Sequence, residues 1–174
     1  FTENQQASAK FGSIQIVIDC SIFNADDFST PQKKLPDAQR ILLSISKIGI
    51  LRTLKKINGR FCLAAFDTKT NILCLGRDRF GLSTLFYTCF DGLIAFSSRA
   101  KGLLGLPGVS NELDHSFLKA AAATNYRFLD TNNSLSPFRN IKQVPPGTIV
   151  RFDDKKMQTE QFASVSYTHL RAHE

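Results

Sequence analysis

An α+β layered fold is what this 174-residue sequence predicts. Three features predict it: runs of period two, runs of period three to four, and hairpin signals between the former. Ser13 to Asp19 (SIQIVID) alternates polar and apolar residues before turning apolar, which predicts a strand. Asp37 to Ile48 carries Ile41, Ile45 and Ile48 at helical spacing, and Pro36-Asp37 supplies a helix start with Asp37 as a candidate N-cap. Leu51, Leu54 and Ile57 extend a second short helical face that Asn58-Gly59 ends.

A meander follows. Phe61 to Phe66 and Ile72 to Leu75 are β-prone runs joined by the polar turn Asp67 to Asn71. Leu85 to Thr88 and Leu93 to Ser97 repeat the arrangement around Asp91-Gly92, a hairpin turn signal. Ala100 to Leu106 and His115 to Ala123 have helical character, and Thr148 to Phe152 (TIVRF) is a last strand before a charged turn at Asp153 to Lys156. Antiparallel strands with helices outside them are the expected layers.

Composition narrows the function classes. At 43% hydrophobic and 21% charged the chain can form a packed core. Fifteen phenylalanines against three tyrosines and no tryptophan favour a packed interior with strand content. The net charge of +7 is scattered, with Lys33-Lys34, Lys55-Lys56 and Lys155-Lys156 as isolated pairs, so a solvated basic surface is expected rather than a nucleic-acid site. Cys20, Cys62, Cys74 and Cys89 lack metal-ligand spacing, and Cys62 and Cys74 sit in apolar runs where a thiol acts as a small hydrophobe. Reduced thiols and a cytoplasmic setting are expected. No run approaches the roughly twenty apolar residues of a membrane span, and His169 and His173, four apart, are not expected to bind metal.

The loop Gly76-Arg77-Asp78-Arg79-Phe80-Gly81 invites a local reading. Gly81 permits a backbone turn that a Cβ resists. Asp78 can accept backbone N–H bonds, while Arg77 or Arg79 can pair with a carboxylate. These residues are expected to brace a turn rather than to do chemistry.

Asn58 to Asp67, Gly76 to Tyr87, Phe96 to Leu104 and Ile141 to Gly147 (IKQVPPG) together resemble the asparagine synthetase family, in the same order and spacing. The resemblance runs from about Ile14 to Phe162. It implies the αββα sandwich of N-terminal-nucleophile hydrolases and a class II glutamine amidotransferase domain over residues 1–162. It also implies hydrolysis of glutamine by an N-terminal cysteine, whose α-amine relays the thiol proton while an Asn side chain and a Gly N–H stabilise the oxyanion. Ammonia would pass to a C-terminal ATP-pyrophosphatase synthetase domain of the same parent chain. ATP and Mg are expected there, with no cofactor in this domain. A homodimer is possible; no nucleic-acid or membrane partner is expected.

This chain departs from that pattern. The family's oxyanion loop falls on Asp19 to Asn24, so Asp19 stands for the oxyanion Asn, Cys20 for the Gly and Ser21 for a substrate-holding Glu; Asn24 is retained. Asp37 is retained where the resemblance implies binding of the glutamine α-amino group, and helix capping is its alternative role. Gln39, Ser83-Thr84 and Arg99 are further replacements. Arg77, Asp78 and Gly81 match the structural motif. Tyr126 to Asp130 with Ser136-Pro137-Phe138 is more similar to synthetases that close an internal amide, such as β-lactam synthetases and lasso-peptide cyclases. Two expectations stand together: an amidotransferase domain that hydrolyses glutamine, or a silent structural domain of such a synthetase. The chain opens on Phe1, so truncation of the opening strands is expected. Val165 to Glu174 is similar to translated sequencing-adapter sequence, and residues 163–174 are expected to be a non-native tail making few contacts with the core.

Overall fold

The computed structural model describes residues 5–28, 35–123, 134, 136–153 and 156–163. Two antiparallel sheets carry the architecture. The first has six strands in the order β1-β2-β3-β4-β8-β9: β1 Gln5–Phe11, β2 Ile14–Ile22, β3 Gly59–Asp67, β4 Ile72–Arg77, β8 Thr148–Phe152 and β9 Met157–Gln161. The second has three, ordered β6-β5-β7: β5 Phe86–Phe90, β6 Leu93–Ser97 and β7 Lys142–Gln143. The chain therefore leaves the large sheet after β4, builds the small one, and returns through β8 beside β4. Every pairing among the described strands is antiparallel.

Helices α1 (Asp37–Ile48) and α2 (Ile50–Lys56) cover one face of the large sheet. Its other face meets the small sheet, on whose strands α3 (Ala100–Leu103) packs. This is the α+β sandwich expected, with Asp37–Ile48 as an outer helix and β3 and β4 as adjacent strands. Helix α4 (His115–Ala123) follows a loop, and Asp114 caps it by accepting the N–H groups of Ser116 and Phe117 at 2.8 and 3.0 Å.

Burial explains the pattern of β3. It is central, so both faces are covered and its run FCLAAF is apolar throughout. Phe61, Leu63 and Ala65 join Ile16, Ile18, Ile41 and Leu54 on the helix side. Cys62 and Ala64 face Leu75, Leu85, Tyr87, Val144 and Val150 between the sheets. Fully burying side chains such as Ile18, Ile41 and Leu63 stabilises the fold by roughly 1.5–3 kcal/mol each.

Several expectations are corrected. The first strand runs on to Ile22, because β2 pairs with β3 from Ile14↔Asp67 through Ile22↔Gly59. The helix expected over Ala100 to Leu106 stops at Leu103; Gly102, Gly105 and Pro107 make a longer helix costly. The Phe residues do not all pack inside: Phe61, Phe152 and Phe162 are buried, whereas Phe11, Phe23, Phe80 and Phe96 are exposed. Strands β1, β7 and β9 carry no sequence signal strong enough to single them out; β9 (MQTEQ) is exposed along its length and is held by pairing with β8. Tyr126 to Asp130 and Val165 to Glu174 lie outside the described residues.

Candidate functional site

The strand alternation of β2 divides the candidate residues between two opposite environments. Ile16, Ile18 and Cys20 enter the core under α1, while Val17 and Asp19 face the space between the sheets. Strand periodicity places Ser21, half-buried, on the Asp19 side. The stretch from Asp19 to Ile22, expected as a loop, is thus strand. Only after Ile22 does the chain turn. There Asn24 braces it: its Nδ2 donates to the Lys56 carbonyl and its Oδ1 accepts the Asn58 N–H, at 2.9 and 2.8 Å.

Cys20 is 5% exposed, and burial pushes its thiol up to about 12, helped by the negative charges of Asp37 and Asp19. A thiol so held is a packing group, not a nucleophile. Across the strand pair from Asp19 lies Cys62, on the inner face. Burial, with the Asp19 charge second, raises the Cys62 thiol to about 11. Asp19 is half-buried, and its Oδ1 has no hydrogen-bond partner. It lines a cavity of about 220 Å3 with Val17, Cys62, Leu85, Ser97 and Ser98.

Asp37 is the first residue of α1, not its cap. Pro36 occupies the N-cap position, and no side chain caps the helix. The Asp37 carboxylate instead complements the positive end of the helix dipole and lies close enough to Cys20 to act on its thiol. Arg40, which sequence reasoning passed over, is 8% exposed; its Nε donates to the Leu35 carbonyl at 2.7 Å and its guanidinium reaches Asp26 at 3.6 Å. Its burial was invisible in the sequence because a charged residue on a helix is ordinarily solvated.

The loop after β4 is built around two buried charges. Asp78 is fully buried and accepts N–H groups from Phe80, Leu82 and Ser83 at 3.1, 3.0 and 2.9 Å, with Phe61 N–H at 3.4 Å. Arg77 does not pair with a carboxylate. Its guanidinium donates to the carbonyls of Gly81, Ser83 and Val144 at 2.7, 2.5 and 2.9 Å, because loop amides already surround the Asp78 oxygens. Arg79 is exposed. Gly81 has φ +67°, and a Cβ there would lie 2.8 Å from Pro146 Cγ and 2.9 Å from Arg77 Nη2. Gly147 N–H donates to the Asp78 carbonyl at 2.8 Å, which joins the Pro-Pro-Gly turn to the same loop. Nothing here presents a reactive group to solvent.

No group of three or more His, Cys, Asp or Glu suited to a metal gathers among the described residues. No described helix is long and apolar enough to cross a membrane.

The sandwich of antiparallel sheets, with a cleft between them beside the end of β2, defines a class. The sequence profile of the glutamine amidotransferase domain matches residues 3–163, and the chain belongs to that family. Within it, the chain is related to asparagine synthetases. Glutamine-hydrolyzing asparagine synthetase 2 of Bacillus subtilis (strain 168) is 26% identical over 170 residues, covering 91% of this chain and 22% of the relative. The glutamine-hydrolyzing asparagine synthetase of Pongo abelii is 39% identical over 71 residues, covering 40% of this chain and 13% of the relative. Among solved structures, a glutamine phosphoribosylpyrophosphate amidotransferase from B. subtilis, complexed with ADP and GMP, superposes with a TM-score of 0.58 at 14% identity. That superposition covers 91% of this chain and 32% of the other, and it establishes the fold. The chain spans about a fifth or less of the length of these asparagine synthetases.

Proposed function

We propose that this chain is the amidotransferase-type domain of an ATP-dependent amide-forming synthetase, and that it serves that enzyme as a structural domain without hydrolysing glutamine. The observation that carries the reading is Asp19. Its carboxyl group lies on the inner face of β2, with Oδ1 unpartnered, where the resemblance calls for an amide donor. An ionised carboxylate only accepts hydrogen bonds, so it repels the oxyanion that a tetrahedral intermediate develops. Loss of one oxyanion donor alone costs about 10²–10³ in rate. Cys20 offers no replacement chemistry, because its side chain points into the core under α1.

A second reading is favoured by the relatives, which are named as glutamine-hydrolyzing. In it the domain releases ammonia from glutamine for the synthetase, using a terminal cysteine as nucleophile and base. In either reading the partner is a C-terminal ATP-pyrophosphatase domain of the same parent chain, and ATP and Mg belong to that domain. Homodimerisation and a cytoplasmic location belong to the same proposal; the buried thiols of Cys20, Cys62 and Cys74 are free, in keeping with a reducing compartment.

Ammonia release from glutamine separates the readings, measured on this chain and on the longer protein that carries it. No release above background is expected from either. Release by the longer protein overturns the structural reading, and release by this chain that Cys20→Ala abolishes would make Cys20 the nucleophile after all.

A further inference from the structure

One end of the large sheet displays apolar side chains to solvent on a braced frame. Phe23 directly follows β2 and is 74% exposed; its N–H donates to the carbonyl of Asn58, just before β3, at 2.8 Å. Phe80 and Leu82, in the loop after β4, are 60% and 64% exposed. The N–H groups of both turn inward to Asp78 Oδ1, at 3.1 and 3.0 Å, so the loop backbone is fixed while the two side chains stand outward. Side chains carried on a fixed backbone lose less freedom when a partner covers them. Arg60, half-buried at the start of β3, and Arg79, exposed beside Phe80, form no ion pair among the described residues. Apolar groups in the open with a charged rim are what an interaction surface presents.

We infer that this end docks the domain that follows in the longer parent chain, through Phe23, Phe80 and Leu82, with Arg60 and Arg79 facing carboxylates at the rim. The inference rests on the reading that a synthetase domain follows this one. The path of the chain selects the partner. After β9 the N–H groups of Phe162 and Ala163 both donate to the Gly147 carbonyl, at 2.8 and 3.1 Å. Gly147 closes the Pro-Pro-Gly turn, and Pro146 of that turn lies against Gly81, between Phe80 and Leu82. A segment continuing from Ala163 therefore starts beside the exposed loop, and tethering raises the effective concentration of whatever domain it carries. Strands β2-β3-β4-β8-β9 lie side by side, so this end is roughly 19 Å wide at ~4.8 Å per strand, room for a domain rather than a single side chain. Length agrees: this chain covers 22% and 13% of two asparagine synthetases it matches, so most of such a protein lies outside this domain.

Leu82→Cys and Phe80→Cys, each made in this chain and in the longer protein that carries it, test this through their rates of alkylation by iodoacetamide. Mass spectrometry of the peptide that holds the new thiol reads the rate. Both positions are exposed, so truncation there costs little stability. Phe11→Cys, exposed on the β1-β2 hairpin at the opposite end of the large sheet, is the control. Labelling of the two loop variants is expected to be about tenfold slower in the longer protein, because the centre of an interface packs as a protein interior does. Phe11→Cys should react at one rate in both proteins. Equal rates for the loop variants in the two proteins, or equal slowing at Phe11→Cys, would overturn the inference. Two loop variants keep the test decisive if one of them folds poorly. Equal labelling removes the docking surface and leaves the absence of glutamine hydrolysis intact, whereas ammonia release from glutamine would sink the structural reading without touching the docking surface.

Discussion

The guanidinium of Arg77 donates from Nη1 to the carbonyl of Val144 at 2.9 Å, linking residues 67 positions apart in the chain. That bond fastens the loop after β4 to the turn before β8. Because β8 returns to pair with β4, Leu75↔Val150 at its centre, the two segments that flank the excursion into the small sheet are locked together. Arg77→Met should keep much of the packing volume but take the donor from three carbonyls, those of Ser83 and Val144 buried and that of Gly81 part-buried. A loss of about 2–4 kcal/mol is expected in urea unfolding. Arg77→Lys should recover little of it, since one ammonium cannot span three divergent acceptors.

Gly81 is required by both conformation and space. Gly81→Ala would hold a Cβ at φ +67° against Pro146 and the Arg77 guanidinium. A loss of roughly 1–3 kcal/mol is expected, with the midpoint of thermal unfolding falling accordingly. Gly92→Ala is the control. Gly92 also has positive φ, at +74°, but nothing lies within 4 Å of its Cβ position, so the backbone term alone should appear.

Asp78→Ala should be the most damaging of the loop changes. It strands the N–H groups of Phe80, Leu82 and Ser83 in a buried site. About 3–5 kcal/mol is expected, enough to unfold a marginal domain. Asp78→Asn keeps one acceptor oxygen and turns an amide NH2 toward the same donors, so it should fall between the two, again read by urea unfolding.

Alkaline pH should destabilise the fold through Cys20 and Cys62. Their usual value is 9.0; the folded state raises them to about 12 and about 11. A raised folded value means that the native chain holds protons the unfolded chain has lost. Stability is therefore full below pH 9 and falls as pH rises, through both thiols up to pH 11 and through Cys20 alone from pH 11 to 12. Each thiol contributes a slope of about 1.4 kcal/mol per pH unit. Urea midpoints between pH 8 and 11 should show this decline, and the double variant Cys20→Ala/Cys62→Ala should flatten it. A decline of equal steepness in that variant would assign the effect to other groups.

Thiol modification offers an independent check at neutral pH. Cys89 is exposed, whereas Cys20, Cys62 and Cys74 are buried. Iodoacetamide at pH 8 should label Cys89 in the native chain and the other three only in urea. Rapid native labelling of Cys20 would contradict its place under α1.

Much of the architecture was legible in the sequence alone. Helix α1 and strands β6 and β8 carry period, length and end signals within their own residues, and they form over the residues expected. The Asp91-Gly92 turn is equally local, with both residues at positive φ. The order of the Asn58–Asp67, Gly76–Tyr87 and Ile141–Gly147 stretches was enough to reach the family. Tertiary structure decided the rest, because it depends on partners distant along the chain. Strand β9 exists through its pairing with β8, which no alternation in MQTEQ announces. Arg77 found carbonyls rather than a carboxylate only once Val144 was folded beside it. Asp19 and Cys20, adjacent in sequence, separate completely: one lines the cleft between the sheets and the other the core beneath α1. The two-residue repeat of a strand sends neighbours to opposite faces, but which face meets the small sheet and which meets the helices is set by packing that sequence neighbours do not encode.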